Sequence, residues 1–459
     1  MKTAGEIYNK MGNAHQDRQE YEQAIVAYDK ALAYLPDDAE KLSNRASALT
    51  SLHRYDEALL WLDKALACNP TLSGALTNRG NVFSATGRTK EALADHQAAL
   101  KAEKNFLDGH INLGNTLAAL GRNDEALAAY NKALEIDPNS ALTHWDKALL
   151  LLLLGRFEEG WREYEWRWKW PGYNEVIRNF PQPEWKGEPP EALGGPLLVI
   201  SEQGYGDIIQ LVRYLPPLAA QGYEIIFETQ PTTLTLLEEG LSHKGIKIIS
   251  RGAELGSRIM GNLPFAAWTG MFSLPYILKT DAENIPHEVP YLTVRKEKLE
   301  KWRERFASNA IKPKIGLVWA GRPEHTKDKH RSIPPTLLRP LLDTGAQFYS
   351  LQKSGPKWDE PRVIDLADEL EDFTDTAAAI SALDLVITVD TSVAHLAGAL
   401  GKPVWVLLPL IPDWRWLLHG DTSAWYPSMR LFRQETEGNW EEVIGRVKLV
   451  VQLDIEEGA

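Results

Sequence analysis

The chain has a single cysteine, Cys68, in 459 residues. No intramolecular disulfide framework can hold it, and a reducing compartment suits it. Long apolar runs are also missing: the longest aliphatic stretch, 149–154, is far below the roughly 18 residues of a membrane-spanning helix. The first residues, MKTAGEIYNKMGNAHQ, lack the apolar core of a secretory signal, so a cytoplasmic address is expected. Basic charge is in deficit, with 50 Lys and Arg against 63 Asp and Glu and a net charge of −13. That sign is wrong for a dedicated nucleic-acid binder. Four chemical signatures are absent as well: a phosphate-binding GxxxxGK[ST] loop, a zinc-protease HExxH, a GxSxG nucleophile elbow and an Asp-x-Asp pair for a divalent metal. No cofactor and no metal are expected.

What is present is a globular composition, 44% hydrophobic and 25% charged, in a chain long enough for two to four domains. The first third repeats. Ala24, Ala58, Ala92 and Ala126 are spaced by 34 residues, and Gly12, Ala46, Gly80, Gly114 and Ala148 keep the same step. Ala31, Ala65, Ala99 and Ala133 repeat it again. Pro36, Pro70 and Pro138 end three units, with Lys104 at the fourth such place. Small residues at this spacing suit two helices that cross closely, Tyr28, Leu62 and Tyr130 fill the gap between them, and proline stops the second helix. The pattern resembles the tetratricopeptide repeat, in four units over roughly residues 5–138 with a degenerate fifth from Ala141. The Trp-rich end of that unit, WREYEWRWKW (161–170), is expected to pack at a domain junction rather than form an aromatic ligand box.

Asn44, Asn78 and Asn112 share one repeat position. Asn13, Asn81 and Asn115 share another three residues on, hence on the same helix face. Such amides could line a groove for an extended polypeptide, since an amide both donates to and accepts from a backbone. The alternative reading is that Asn at these positions is ordinary for this repeat. A peptide-binding groove of Asn44, Asn78, Asn81, Asn112 and Asn115 is the expectation carried forward.

From Pro171 to Pro196 prolines and glycines end the periodicity. Beyond them strands alternate with helices, with apolar strand patterns at 196–201, 223–230, 246–250, 314–321, 346–353, 383–390 and 403–408. Two Rossmann-like halves with parallel sheets are expected, at 196–309 and 310–459, after a solenoid over 1–170 and a linker over 171–195. Ligands of open α/β sheets bind at the carboxyl ends of the strands. Three loops there carry chemistry. SEQGYGD (201–207) pairs Gly204 and Gly206 with Asp207 at a helix start, where the carboxylate is either a base or a helix cap. VDTSVAH (389–395) brings Asp390, Thr391, Ser392 and His395 to a helix N-terminus, either a diphosphate site or an ordinary cap. GRPEHTKDKHRS (321–332) supplies Arg322, Lys327, Lys329, His330 and Arg331, which could neutralise a leaving diphosphate or simply be solvated.

GYGD after the first strand, the basic loop and DTSVAHLAGALGKPVWVLLP together resemble the family-nine glycosyltransferases, the group of the ADP-heptose:lipopolysaccharide heptosyltransferases, over roughly residues 196–450. The resemblance implies a GT-B fold and inverting, metal-independent sugar transfer. It makes Asp207 the base, Lys329 the phosphate-contacting lysine and Asp390, Thr391, Ser392 and His395 the nucleotide-sugar loop; Gly204, Gly206 and Arg331 are expected beside them at the nucleotide-sugar site. Two features depart from that family: a short amino-terminal half, and PLIPDWRW (409–416) where a glycine-proline turn is usual. Repeats ahead of such a module are similar in plan to protein O-GlcNAc transferases. The expected function is sugar transfer from a nucleotide diphosphate donor to an acceptor hydroxyl, on a protein recruited by the repeats. The alternatives are a scaffold with a catalytically silent module, and transfer to a glycan or lipid.

Overall fold

The computed structural model describes residues 2–173, 180–251, 265–309, 311, 313–324 and 328–458. They divide into two compact units, residues 1–150 with 166–172, and residues 151–165 with 173–459.

The first unit is built from helical hairpins: α1 (Lys2–Asp17) with α2 (Tyr21–Tyr34), α3 (Ala39–Ser51) with α4 (Tyr55–Cys68), α5 (Ser73–Ala85) with α6 (Thr89–Ala102), and α7 (Leu107–Ala119) with α8 (Asn123–Ile136), followed by α9 (Ala141–Leu153). Each hairpin turns through a residue with left-handed backbone. These are Gln19, His53, Gly87 and Gly121, again 34 residues apart. Glycine takes this conformation without steric cost, and the first two turns hold it with side chains present.

The crossings show why the small residues alternate. A methyl group added at Gly12 would overlap the Tyr28 ring, one at Gly80 the His96 ring, and one at Gly114 the Tyr130 ring. Where the repeat carries Ala46 instead, the facing position is the narrower Leu62, and both are fully buried. Tyr28 donates its hydroxyl to Asn13 Oδ1 (2.8 Å), and Tyr130 donates to Asn115 Oδ1 (2.5 Å). His96 occupies the same place in the third repeat at 0% exposure, and neither ring nitrogen finds a partner. Burial pushes its pKa down to about 4.

The second unit carries two parallel sheets. The first has the order β3-β2-β1-β4, with β1 Leu197–Ile200, β2 Ile225–Thr229, β3 Ile246–Ser250 and β4 Ala267–Gly270. In the second the order is β10-β9-β8-β5-β6-β7, with β5 Lys314–Val318, β6 Gln347–Ser350, β7 Val363–Asp365, β8 Leu385–Val389, β9 Val404–Leu408 and β10 Met429–Arg433. Every strand pair is parallel. Ile315, Leu317, Ile387 and Leu407 of the second sheet share a buried core with Val443, Val447 and Val451 of the last helix, Trp440–Gly458.

The boundaries differ from those expected. Helix α10 (Phe157–Tyr164) belongs to the α/β unit, because its large side chains are buried there. Trp161 stands edge-on to Trp414 with centroids 5.2 Å apart, and Tyr164 stacks on Phe272 at 5.2 Å. Tyr164 also accepts from Gln203 Nε2 (2.6 Å). The other three tryptophans of 161–170 lie in the solenoid unit, Trp166 on His144 (3.9 Å), Trp170 against Trp145 (5.2 Å) and Trp168 under the Arg167 guanidinium (4.5 Å). The expected linker also carries structure. Trp185 N–H donates to the Trp268 carbonyl (2.7 Å) and Trp268 N–H to that of Pro183 (3.1 Å), which fastens the proline-rich segment to β4. Among the described residues no helix is long and apolar enough to cross a membrane.

His96 yields a stability prediction. Its pKa is lower folded than unfolded, so the fold is favoured fully above about pH 6.5, and this contribution is lost as pH falls toward 4, by about 2–3 kcal/mol. His96→Tyr restores the residue type of Tyr28 and Tyr130, with Asn81 at the repeat position of their acceptors. Hydrogen exchange over Ser73–Ala102 of the full chain should show wild-type protection falling between pH 7 and pH 4.5 by more than in His96→Tyr. Equal losses would show that His96 does not carry this dependence.

Candidate functional site

Both sheets reverse their strand order at a definable place. In the first the chain steps from β1 outward through β2 and β3, then returns to add β4 on the other side of β1; in the second it leaves β5 through β6 and β7, then returns to place β8 beside β5. Crevices at such switch points, at the strands' carboxyl ends, are where open α/β sheets take ligands. The loop after β1 carries Gly204, Gly206 and Asp207, the loop after β5 carries Arg331, and the loop after β8 carries Asp390, Thr391 and Ser392.

Helix Tyr205–Leu211 begins in the first of these loops, and Asp207 caps it, its Oδ2 accepting Gly204 N–H at 2.8 Å. The other oxygen, Oδ1, accepts from Arg415 Nη2. The cap reading is thus seen in the geometry, and the capping carboxylate is also paired with a cation. Gly206 has a packing role: a Cβ there would lie 2.9 Å from His395 Cδ2 and 3.6 Å from Ser392 Cα, so its bare backbone lets this helix reach the first turn of helix Ser392–Ala399.

Arg415 was not among the expected site residues. It lies in PLIPDWRW, the loop after β9, between Trp414 and Trp416, both buried. Trp414 packs against Trp161 and Trp425, and Trp416 stacks on His395 at 5.3 Å. Two anchored indoles fix the backbone and leave the arginine one direction to point. Its Nη1 donates to Asp413 Oδ1 (2.6 Å), its Nε to Gln210 Oε1 (2.8 Å), and its Nη2 to Asp207. Burial pushes the Asp207 carboxyl up from its ordinary value, while Arg415 and the Gly204 N–H pull it down.

Asp390, at the end of β8, is pushed up to about 6, by burial first and by the Asp413 charge second, against the pull of Arg331 and Arg415. The Trp416 indole N–H meets no acceptor at hydrogen-bond geometry and still favours the Asp390 anion. Helix Ser392–Ala399 starts at Thr391 with no side-chain cap; the Thr391 hydroxyl turns instead to Thr388 Oγ1 (3.1 Å). Among the described residues its first N–H groups thus have no capping side chain, the usual condition of an anion site. His395, expected at the nucleotide-sugar loop, lies in the first turns of helix Ser392–Ala399. It is buried against Gly206 and Trp416, its Nδ1 is 2.9 Å from the Tyr426 hydroxyl, and burial with the nearby Arg415 and Arg213 charges holds it neutral.

In the basic loop, Arg331 is paired with Asp328 (3.2 Å) and bears on Asp390. Lys329 and His330 are exposed on the one-turn helix Asp328–Arg331, Arg322 sits over the Tyr205 ring at 5.5 Å, and Lys327 lies outside the described residues. Among the described residues no group of three or more His, Cys, Asp or Glu is placed to hold a metal ion.

On the solenoid, part of the amide ladder is engaged internally. Asn44 Nδ2 donates to Asn9 Oδ1 (3.3 Å) and Asn78 Nδ2 to Ser43 Oγ (3.0 Å), each reaching the preceding repeat. Asn112 donates to the Asp108 carbonyl (2.9 Å), and Asn115 accepts from Tyr130. Asn81 is half-buried beside Gly80.

The raised pKa of Asp390 has a testable consequence. Its ionisation opposes folding above about pH 6 and has no effect below about pH 4, where the carboxyl is protonated in both states. Asp390→Asn should stabilise the chain at pH 7.5 by about 1–3 kcal/mol, with the gain vanishing at pH 4. Denaturant unfolding at both pH values measures it, and a loss of stability at pH 7.5 would contradict the electrostatics described.

Known proteins match the chain in parts. Two family models match, "Tetratricopeptide repeat" over residues 9–73 and "TPR repeat" over residues 114–155. Protein FlbA of Caulobacter vibrioides is 28% identical over 314 residues, 63% of this chain and 51% of FlbA. The chain thus spans about half the length of this curated relative, and the match is longer than the repeat unit alone. Among solved structures, a thermophilic TPR protein of Thermus thermophilus is 22% identical, covering 35% of this chain and 89% of that one, with a TM-score of 0.33. PilF of Pseudomonas aeruginosa is 22% identical over 38% of this chain and 78% of its own, with a TM-score of 0.34. The chain carries tetratricopeptide repeats, a protein-interaction module, ahead of an α/β region with parallel sheets.

Proposed function

We propose that the α/β unit is an inverting, metal-independent glycosyltransferase of GT-B fold, which moves a sugar from a nucleoside-diphosphate donor to an acceptor hydroxyl on a protein recruited by the repeats. The observation that carries this reading is the meeting of two switch points. A carboxylate at the end of one sheet, Asp207, lies on a helix packed against the uncapped helix N-terminus at the end of the other. This arrangement supports a reading in which acid–base chemistry and anion binding share one crevice.

In this reaction the acceptor oxygen attacks the anomeric carbon from the face opposite the diphosphate. The new carbon–oxygen bond forms as the bond to the diphosphate breaks. The hydroxyl proton passes to Asp207, and the electron pair leaves with the diphosphate. The growing negative charge falls on the N–H groups at Thr391 and Ser392 and on nearby cations, with Arg331, and Lys329 from the same turn, as contributors. Asp390, beside that helix start, is suited to a sugar or ribose hydroxyl. The solenoid supplies the acceptor, with the amides of Asn78, Asn81, Asn112 and Asn115 facing an extended chain.

A second reading is a docking module without catalysis, and the engaged state of Asp207 favours it, since both carboxylate oxygens already have partners. Sugar transfer or nucleotide-sugar hydrolysis decides between them. With a turned-over donor, Asp207→Asn should lower transfer by about 100- to 10,000-fold; retained turnover would remove Asp207 as the base. Asp390→Ala should weaken binding of the matching nucleoside diphosphate in calorimetry. Changing Asn78, Asn81, Asn112 and Asn115 together to Ala should abolish capture of a protein acceptor, and unchanged capture would rule out the amide groove.

A further inference from the structure

We propose that Arg415 is shared between Asp207 and the donor's diphosphate, so that diphosphate binding is what frees Asp207 to act as a base. The inference rests on the glycosyltransferase reading and concerns how that site is switched on. All three guanidinium nitrogens of Arg415 are engaged: Nη1 by Asp413, Nε by Gln210 and Nη2 by Asp207. These bonds use three of the five guanidinium N–H groups, so an incoming phosphate shares the cation with its present acceptors and draws it from the one most easily given up.

The three acceptors are not equally replaceable. Asp413 is two residues away, and its Oδ1 also accepts the Arg415 backbone N–H (3.1 Å), so it moves with the arginine. Gln210 is fully buried and neutral, and displacing it would strand its amide oxygen away from water. Asp207 comes from the other sheet, and its side chain is the more open partner of the pair, 17% exposed against 10% for Arg415. It also keeps a second support, the Gly204 N–H, after the arginine leaves. Asp207 is therefore the acceptor a diphosphate would replace.

The exchange also places the charge where transfer needs it. Arg415 already acts electrostatically on Asp390 and His395, which flank the uncapped turn of helix Ser392–Ala399. A short swing keeps it within that field. Asp207, relieved of its cation, becomes a stronger proton acceptor at the moment the donor is in place, and hydroxyl activation without a donor is suppressed.

Competition for one cation gives a signature that a packing role does not. Calorimetry with ADP, UDP, GDP, CDP, dTDP and inorganic pyrophosphate should be run on wild type, Asp207→Asn, Asp207→Ala, Arg415→Gln and the Asp207→Asn/Arg415→Gln double variant. The proposal expects the nucleoside diphosphate that binds wild type to bind both Asp207 variants on the order of tenfold more tightly, and Arg415→Gln on the order of tenfold more weakly. In the double variant the gain from Asp207→Asn should disappear. Arg415→Lys takes the place of Arg415→Gln if the latter does not fold. Wild-type binding with equal or weaker affinity in the Asp207 variants would overturn the exchange and leave the transferase reading standing. Folded wild type and Asp207 variants that all fail to bind any of the probes would overturn the donor site itself, and the exchange with it.

Discussion

The α/β unit depends on a buried cation, the guanidinium of Arg213, which is 2% exposed. Its nitrogens donate to the carbonyls of Gln210, Pro286 (3.2 Å) and Trp425 and to the Tyr291 hydroxyl (3.2 Å), and the rings of Tyr291, Trp425 and Tyr426 lie around it within 5.4 Å. A charge removed from water is costly unless dipoles and ring faces replace its hydration. Those groups come from three chain segments more than 200 residues apart at the extremes, so satisfying Arg213 fixes all three together. Tyr291 extends the clamp: its hydroxyl donates to the Ile209 carbonyl (2.8 Å) and its backbone N–H to that of Ala399 (3.0 Å). The helix that carries Asp207 and the helix that begins at Thr391 are thereby held to one another through a single aromatic residue.

The chemistry in front of this clamp follows from an imbalance. Asp207 and Asp390 both feel the Arg415 charge, and the Asp413 carboxylate raises the cost of ionising each of them. The Asp390 carboxyl is pushed up to about 6 because burial and the Asp413 charge outweigh two arginines. His395, flanked by Arg213 and Arg415, stays neutral for the complementary reason. Its place in the site is then structural: a neutral ring between Gly206, Trp416 and Tyr426 lets two helices meet closely without adding a third cation to the cluster.

Much of this could be read from residue patterns where the constraint is local. The 34-residue step survives because Gly12, Gly80 and Gly114 each make room for a ring within the same hairpin, and β1, β2, β3, β5, β6, β8 and β9 fall within apolar runs that are buried. Three strands gave too little signal. β4 is the four-residue AWTG, β7 has Val363 and Ile364 half-buried and Asp365 exposed, and β10 turns Arg430 outward, so sheet pairing rather than composition makes them strands. The left-handed turns at Gln19 and His53 carry the same period as Gly87 and Gly121, yet their residue types hide it. The sheet-end loops could be located because strand ends follow from strands. The partner of Asp207 could not, since Arg415 lies 208 positions away in a segment whose only visible mark was its departure from an expected turn.

That departure explains the geometry best. A glycine-proline turn after β9 would leave no side chain able to cross from one sheet end to the other, whereas Asp-Trp-Arg-Trp buries two indoles and projects an arginine between them. Since Asp413 both caps the short helix Trp414–Trp416 and holds Nη1, the segment is tied at its base, and the Nη2 contact to Asp207 is the one that reaches the other sheet. A carboxylate left as an unpaired anion in this partly closed crevice would be penalised by burial, and a lone buried arginine would be penalised equally. Pairing them lowers both costs in the ligand-free state. Any anion that enters must repay the lost pair with stronger contacts, which makes a doubly charged diphosphate a better competitor than a neutral sugar or a single carboxylate.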